Sequence, residues 1–510
     1  MSDKKRIKSA LISVYHKDGL EEIAAALKSS DIKVFSTGGT EKFLLAQGVE
    51  VHKVETLTGY PSILDGRVKT LHPKVFGGIL ARRDDDHLSQ LTEYEIPEID
   101  LVVVDLYPFE ETVASTDDEK AIIEKIDIGG IALIRSAAKN FNDAVIIPSK
   151  DQYGTLLSIL QDDFSSDRET RMTLARHAFN VSSHYDTAIF NYFLSQASSD
   201  QPVFKQSIKQ SEVLRYGENP HQQGFFFGNL GAQFEKLGGK ALSFNNLVDV
   251  DAAVALMAEF KDGAPAFAVL KHTNACGVAV RSTVFEAWTD ALAGDPVSAF
   301  GGILISNAKI DLATAEAINK IFYEALIAPD FDQDAYELLT QKKKRVLMKI
   351  KHWNVQTKSY KTILNGVVSQ DMDVKTLVDE DIQFVTNEKP SAEQLVDLKF
   401  ANKCVKHLKS NTIVLVKNNQ LLGMGCGQTS RVDACKQAID KAERMGFNLE
   451  GSVMASDAFF PFPDCVEIAH KAGIKAVVQP GGSIKDNLSI DYCNNHGLPM
   501  IFTGTRHFKH

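Results

Sequence analysis

Short unbroken apolar runs alternate with stretches of helical period along most of this chain. Ser9 to Val14 is one such run, and Leu20, Ile23, Ala24 and Leu27 then recur at helical spacing. Ile32 to Phe35, Leu101 to Val104 and Ala144 to Ile147 predict further strands, with helices over Glu41 to Gln47 and within Ile126 to Ala138. Strands alternating with helices in this way predict a right-handed, doubly wound parallel sheet. A helical region from Arg168 to Phe193 follows, with Ala175, Ala178, Phe179 and Ser182 on one face.

The polar stretch SQASSDQ from Ser195 to Gln201 has the composition of an exposed linker, which divides the chain into 1–197 and 202–510. Beyond it, Ala253, Leu256, Met257 and Phe260 define a helix face, and Ala266 to Leu270 is an apolar run of the kind found inside a parallel sheet. The last third repeats the alternation: Thr412 to Val416 and Leu421 to Gly427 predict strands, and Cys435, Ala438, Ile439 and Ala442 one helix face.

Composition narrows the function classes. At 510 residues, 44% hydrophobic and 24% charged, the chain is an ordinary globular protein of several domains. A net charge of -10 argues against a nucleic-acid surface while leaving room for a local basic site that holds a small anion. Cys276, Cys404, Cys426, Cys435, Cys465 and Cys493 lack zinc-ligand spacing, so no metal site is expected, and they read as reduced core thiols of a cytoplasmic protein. The amino-terminal apolar run is too short for a secretory core or a membrane span and reads as a first strand. QKKKR from Gln341 to Arg345 reads as solvated surface.

Candidate chemistry gathers where strands end. STGGT, Ser36 to Thr40, lies between a strand and a helix start, where free N–H groups and the helix dipole hold phosphate, although many such turns need glycine for its backbone freedom alone. Gly59 to Leu80 clusters Arg67, Lys69, His72 and Lys74, interleaved with Val68, Leu71 and Val75, and is either an anion site or plain surface. Lys271 and His272 follow the Ala266 to Leu270 run before a glycine-containing turn. Neighbours on a continuing strand would face opposite ways, so both are placed at its carboxyl end, where α/β folds bind ligands. SDAFFPFPD, Ser456 to Asp464, makes an apolar wall that suits a flat heteroaromatic ligand or equally a core.

Eleven segments, STGGT, GRVKTLHP, LYPF, IDIGG, RSAAKN, RYGENPHQ, LKHTNACG, GDPVSAFGG, GQTSRVDA, SDAFFPFPD and TGTRHFKH, occur in the order of a known family. From end to end the chain resembles the bifunctional purine biosynthesis proteins that join an inosine monophosphate (IMP) cyclohydrolase to an aminoimidazole carboxamide ribonucleotide (AICAR) formyltransferase. The resemblance implies an α/β chain: a methylglyoxal-synthase-like domain with a helical extension, then two cytidine-deaminase-like lobes. It also implies a cytoplasmic homodimer with formyltransferase sites at the subunit interface, acting on purine ribonucleotide and folate molecules without nucleic acid or membrane. No cofactor is bound permanently, 10-formyltetrahydrofolate is the co-substrate, and a monovalent cation is left open.

By the same resemblance His272 takes the proton of the substrate amine, Lys271 supplies charge beside it, and Asn411 assists the formyl oxygen. Arg215, Lys271, Arg431 and Arg506 anchor the ribonucleotide, Tyr216 and Phe508 shape the ring pocket, and His221, Asn246, Asp295, Phe459 and Asp464 match positions at the ligand. In the first domain Ser13, Lys17, Ser36, Gly38, Gly39 and Thr40 hold phosphate. There Arg67, Lys69, Thr70, Tyr107, Asp127 and Lys139 surround the reacting ring, with Lys69, Tyr107, Asp127 and Lys139 moving protons or stabilising charge. Tyr15 and His16 depart from the Ser and Asp of some relatives. Two rivals are weaker: a nucleotide sensor without turnover, since Lys271, His272, Asn411, Lys69 and Lys139 are all kept, and a zinc deaminase, which would need a His-x-Glu with a downstream CxxC.

Overall fold

The computed structural model describes residues 4–197, 203–353 and 356–510. The chain forms two compact units, Met1–Lys209 and Gln210–His510. Residues 198–201 of the expected linker lie outside the described residues.

The first unit is built on a five-stranded, all-parallel sheet: β1 Ser9–Val14, β2 Lys33–Ser36, β3 Val51–Lys53, β4 Leu101–Asp105 and β5 Val145–Ile147. Their order is β3-β2-β1-β4-β5, so the winding direction reverses between β1 and β4. Such a reversal opens a crevice at the carboxyl ends of the strands. Burial on both faces explains the unbroken apolar runs, since Leu11, Ile12, Val102 and Val103 are all within the core. Past the helix Tyr153–Gln161 that follows β5, the long helix runs Arg168–Gln196, three residues beyond its predicted end. On its expected face Ala175, Ala178 and Ser182 are buried, but Phe179 is exposed and carries the Arg135 guanidinium over its ring.

The second unit holds a twelve-stranded sheet among the described residues. Its strands in chain order are β6 Phe234–Gly238, β7 Ala266–Lys271, β8 Asn274–Val280, β9 Ile303–Ser306, β10 Ala325–Ala328, β11 Val346–Ile350, β12 Gln383–Phe384, β13 Ile413–Lys417, β14 Gln420–Gly425, β15 Val453–Ser456, β16 Ala476–Gln479 and β17 Met500–Phe502. The sheet order, β6-β11-β10-β9-β7-β8-β14-β13-β15-β16-β17-β12, is a duplication. Each lobe is an antiparallel hairpin (β7-β8, β13-β14), followed by a strand antiparallel to the first hairpin strand and then two parallel strands. The lobes join where Ala279 of β8 meets Gln420 of β14.

The duplication extends to the helix before each hairpin. Phe244–Ala258 and Ala392–Lys406 are both opened by capping boxes, Ser243 with Asn246 and Ser391 with Gln394, and both continue as Leu-Val-Asp at Leu247 to Asp249 and Leu395 to Asp397. The two helices cover one face of the sheet over a core shared by both lobes, and each lobe has its own core on the other face.

Three expectations are corrected. Ala266–Leu270 is antiparallel to both neighbours, not in a parallel array; burial under helices on both faces makes it look parallel in sequence. The turn after Lys271 contains no glycine: His272 and Thr273 form it at φ 52° and 64°, and Gly277 lies in β8, where a Cβ would meet the Ala291 carbonyl oxygen at 1.8 Å. Arg345, at the end of QKKKR, is buried over the Tyr323 ring with its guanidinium on Asn319 and Ile321, so the exposed part of the run is Gln341 to Lys344.

Glu259, at the end of the first shared helix, accepts Lys406 Nζ at 2.7 Å and His407 Nε2 at 3.1 Å from the end of the second. Burial opposes its charge, but these bonds prevail and hold its pKa down to about 2 from an ordinary value of 4.5. Its contribution to stability is therefore complete above pH 4.5 and lost as pH falls through about 2. Urea unfolding should show wild type more stable than Glu259→Gln near neutrality, with the gap narrowing steadily from pH 4.5 toward pH 2; a constant gap would remove the ion pair from the account.

Candidate functional site

The crevice at the β1/β4 reversal is a cavity of about 720 Å³. Strand-end loops build it: Ser13 to Lys17 from β1, Thr37 to Thr40 after β2, and Asp105 with Tyr107 after β4. Gly66 to Thr70 and Ile123 to Gly130 close the rest. Of the residues predicted for this unit, Ser13, Lys17, Gly38, Gly39, Thr40, Arg67, Lys69, Thr70, Tyr107 and Asp127 line it.

At one end stands the amino terminus of the helix Gly38–Ala46. Thr37 does not cap it, because its hydroxyl donates to Glu55 Oε1 at 2.7 Å, which leaves the first N–H groups facing the cavity side. Gly38 at φ 58° and Gly66 at φ 90° make room for Lys69: a Cβ on either would meet its Nζ, at 3.3 Å and 2.9 Å. Among the described residues Lys69 has no ion-pair partner. An ammonium held beside the positive end of a helix is unfavourable until an anion joins them. The geometry is therefore suited to an anion subsite. Thr40 hydrogen-bonds the Val14 backbone at both N–H and carbonyl, and Lys17 Nζ donates to the Val14 and Tyr15 carbonyls, so both also fix the end of β1. Burial lowers the Lys17 pKa.

At the other end Asp127 accepts the Gly130 N–H at 2.7 Å. Tyr185, from the long helix, donates to the Lys125 carbonyl at 2.6 Å and accepts the Asp127 N–H at 2.9 Å, pinning the loop between them. Burial raises the Asp127 pKa against the backbone N–H bonds that lower it, and burial followed by the Asp127 charge raises that of Tyr107. A carboxyl and a phenol so perturbed can exchange protons with a ligand.

Two predicted residues lie elsewhere. Ser36 is fully buried, its hydroxyl donating to the Ile12 carbonyl, and Lys139 is exposed at the far end of the helix Gly129–Lys139, about 15 Å along it from the cavity. From the cationic loop, His72 instead caps the helix Pro73–Leu80 and Lys74 lies 4.0 Å from Glu95. Of the residues meant to anchor that loop, Val75 is buried but Leu71 is exposed. Tyr15 lines the cavity with its ring 5.4 Å from that of Tyr107, and His16 is paired with Asp105 at 2.8 Å. Lys125, unremarked in the sequence, also lines it; its place directly before IDIGG was the available signal.

In the second unit Lys271 ends β7 with its Nζ on the Phe300 carbonyl at 2.9 Å, and His272 sits in the turn. Asn411 donates to the Gln428 and Thr429 carbonyls and accepts Arg431 Nη2 at 2.8 Å. Arg431 is buried on Asp457, Ser456 and the Thr412 carbonyl. The carboxyl-terminal tail alternates: Arg506 and Phe508 face outward, the guanidinium 4.5 Å from the ring, while His507 is buried on Asp373 and Lys509 hydrogen-bonds the His407 carbonyl. Arg215 lies over the Tyr216 ring, His221 is exposed, and Asn246 is buried in its capping box. Phe459 and Phe462 are exposed while Phe460 is buried, so the aromatic wall is part core and part surface. Asp464 opens the helix Asp464–Lys471. Asp295 pairs with Lys441 at 2.7 Å beside a cavity of about 400 Å³; burial opposes its charge, but Lys441 and Ser298 hold its pKa below the ordinary range. Of the residues predicted for this unit, Asp295 alone lines that cavity. Asp457, not singled out as a site residue in the sequence, receives Arg431, the Ser410 hydroxyl and the Thr412 N–H.

The six cysteines are free, and among the described residues no group of three or more His, Cys, Asp or Glu side chains could hold a metal ion. Among them, too, no helix is long and apolar enough to cross a membrane.

A family model described as AICARFT/IMPCHase bienzyme matches residues 137–441, and one described as an MGS-like domain matches residues 19–132. The chain is 59% identical over 512 residues to the bifunctional purine biosynthesis protein PurH of Bacteroides thetaiotaomicron, covering 100% of both. It is 45% identical over 518 residues to the protein of the same name from Acetivibrio thermocellus, covering 99% of this chain and 100% of that one. A solved structure titled "Crystal structure of ForH" is 36% identical, covers 37% of this chain and 99% of its own, and has a TM-score of 0.33.

The anion subsite makes a direct prediction. Gly38→Ala crowds Lys69 Nζ and strains a left-handed backbone position, so calorimetric titration should show inorganic phosphate binding weakened about tenfold, with Lys69→Ala at least as weak. Unchanged phosphate affinity in both variants would refute the subsite.

Proposed function

The chain belongs to the AICARFT/IMPCHase bienzyme family, and from that premise we propose how its two units divide the work. The protein is a bifunctional enzyme of purine biosynthesis, an AICAR formyltransferase and IMP cyclohydrolase. Cyclisation belongs to 1–197 and formyl transfer to 202–510. The observation that carries the first assignment is the cavity itself, with an anion subsite at one end and a proton-exchanging Tyr107–Asp127 pair at the other.

In cyclisation the carboxamide nitrogen forms a bond to the formyl carbon while the carbonyl electron pair moves to oxygen. That oxygen leaves as water with two protons, one from the carboxamide nitrogen and one from the former amine, and a C=N bond forms between the former amine nitrogen and the formyl carbon of the closed ring. The attack is intramolecular, so positioning contributes most. Gly38, Gly39, Thr40, Ser13 and Lys17 hold the phosphate end, with Lys69 over it; Arg67 and Thr70 flank the ring. Tyr107 and Asp127 move the protons. Lys139, on an exposed helix end, and Ser36, buried in the sheet, take no direct part in one protomer.

In formyl transfer the 5-amino group of the ribonucleotide attacks the formyl carbon of 10-formyltetrahydrofolate, the co-substrate, and tetrahydrofolate nitrogen leaves with a proton. His272 accepts the amine proton, Lys271 supplies charge beside it and opposes the oxyanion, and Asn411, held by Arg431, assists the formyl oxygen. Arg215, Tyr216, His221, Asn246, Asp295, Phe459, Asp464, Arg506 and Phe508 bind the ligands across a homodimer interface. Exposed Val297 and Phe300 beside Lys271 support that interface. The enzyme works in the cytoplasm.

Purified protein should convert the formylated ribonucleotide to IMP without folate, followed by ultraviolet absorbance. His272→Ala should lose folate-dependent formylation by at least about a hundredfold while cyclising at the wild-type rate. Parallel loss of both activities would overturn the two-site assignment.

A further inference from the structure

Four cationic side chains line the first cavity, and three have positions at the phosphate end or partners that occupy them: Lys69 beside Gly38, Lys17 on two backbone carbonyls, and Arg67 on Glu124. Lys125 is the fourth. Its Nζ lies 5.7 Å from the centre of the Tyr107 ring, 4.9 Å from that of Tyr15 and 3.3 Å from the Tyr15 hydroxyl. Tyr15 and Tyr107 meet edge to face at 5.4 Å, so the ammonium sits over a two-ring shelf on the Tyr107 side of the cavity. The backbone carrying it is fixed, because its carbonyl accepts the same Tyr185 hydroxyl that holds the Asp127 N–H.

We propose that Lys125 is a positioning and charge-stabilising residue of cyclisation, holding Tyr107 ready to give its proton to the oxygen that receives the carbonyl electron pair, with Tyr15 as the rest that aims it. The proposal rests on the cyclohydrolase reading of this unit.

The chemistry follows from what surrounds Tyr107. Asp127, Tyr15, Lys125 and Tyr185 are titratable groups that interact with it: burial, Asp127 and Tyr15 disfavour its phenolate, and Lys125 favours it. A phenol that surrenders its proton in the transition state becomes an anion in a site that already contains a carboxylate. An ammonium over the ring offsets that charge, and in a partly desolvated cavity the effect exceeds what it would be in water. The charge is thereby supplied from the loop before IDIGG, on the same short segment as Asp127.

Steady-state cyclisation kinetics with the full chain test this. Lys125→Gln should lower kcat about a hundredfold with little change in KM, and move the alkaline limb of the pH–rate profile upward as Tyr107 loses the cation that favours its ionised form. Lys125→Arg should restore most of kcat and return the limb toward wild type. Formyl transfer, measured in the same preparations, should stay at the wild-type rate. Wild-type kcat and pH profile in Lys125→Gln overturn the proposal alone, as does a rise in KM without a fall in kcat, or loss of formyl transfer in parallel. A wild-type protein that fails to cyclise overturns the reading beneath it.

Discussion

One buried carboxylate holds the second unit's candidate site together. Asp457 follows β15 and is wholly shielded from solvent. It receives the Arg431 guanidinium, the Ser410 hydroxyl at 2.5 Å and the Thr412 N–H at 3.2 Å, and its carbonyl accepts the His507 N–H at 2.9 Å. A carboxylate so placed is tolerable only because several donors converge on it. Those donors come from just before β13 and from the helix after β14. Satisfying one charge thus fixes Asn411 through Arg431, while the backbone carbonyl of the same residue holds the tail that carries Arg506 and Phe508. Loss of one partner would strand the other and cost about 3–5 kcal/mol. Arg431 is therefore first a structural cation, and its reach toward a ligand passes through Asn411.

The first unit solves a different problem. There Lys69, with no ion-pair partner among the described residues, lies against two left-handed glycines beside an uncapped helix start. The second unit neutralises its charge internally, whereas this arrangement leaves room for an anion. The contrast explains why the cavity of the first unit is legible in a single chain. Among the predicted residues of the second unit, most are either buried in mutual contacts or exposed on a surface.

How far the sequence could be read follows from these differences. The parallel strands of the first unit and the glycine turn before helix Gly38–Ala46 were visible because apolar runs and a Gly-Gly pair at a strand end are local signals. Ala266–Leu270 was recognisable as a strand but not as antiparallel, because helices over both faces impose the same composition on either arrangement. Arg345 read as surface because nothing in QKKKR foretells the Tyr323 ring beneath it. Lys139 and Lys125 show the same limit at the site: both border helix Gly129–Lys139, but a helix separates its ends by a distance that motif adjacency hides. The lobe duplication left a trace in Leu-Val-Asp, at Leu247 and again at Leu395, too short to be noticed without the sheet order that makes it meaningful.

That trace bears on His272. Asp249 and Asp397 occupy the same position in their helices and do the same work, bonding backbone N–H groups of the following hairpin turn. Asp397 holds Asn418 and Asn419 at 2.9 and 2.6 Å, and Asp249 holds Thr273 at 2.8 Å. Both turns are left-handed at two successive residues. Asparagine suits that conformation, whereas β-branched threonine resists it. The second lobe therefore makes its turn from favourable residues, and the first makes the same turn at a local cost. Extra bonds offset part of it: the Thr273 hydroxyl donates to the His272 carbonyl at 2.6 Å, and Asn274 Nδ2 at 3.0 Å. Since scaffold demands are alike in the two lobes, packing does not account for His-Thr where Asn-Asn would serve. Both lobes end the first hairpin strand on a lysine, Lys271 and Lys417, so what differs is the imidazole of His272 beside it, at the tip of a hairpin whose backbone an aspartate has already fixed, a placement that suits a proton acceptor with a neighbouring charge.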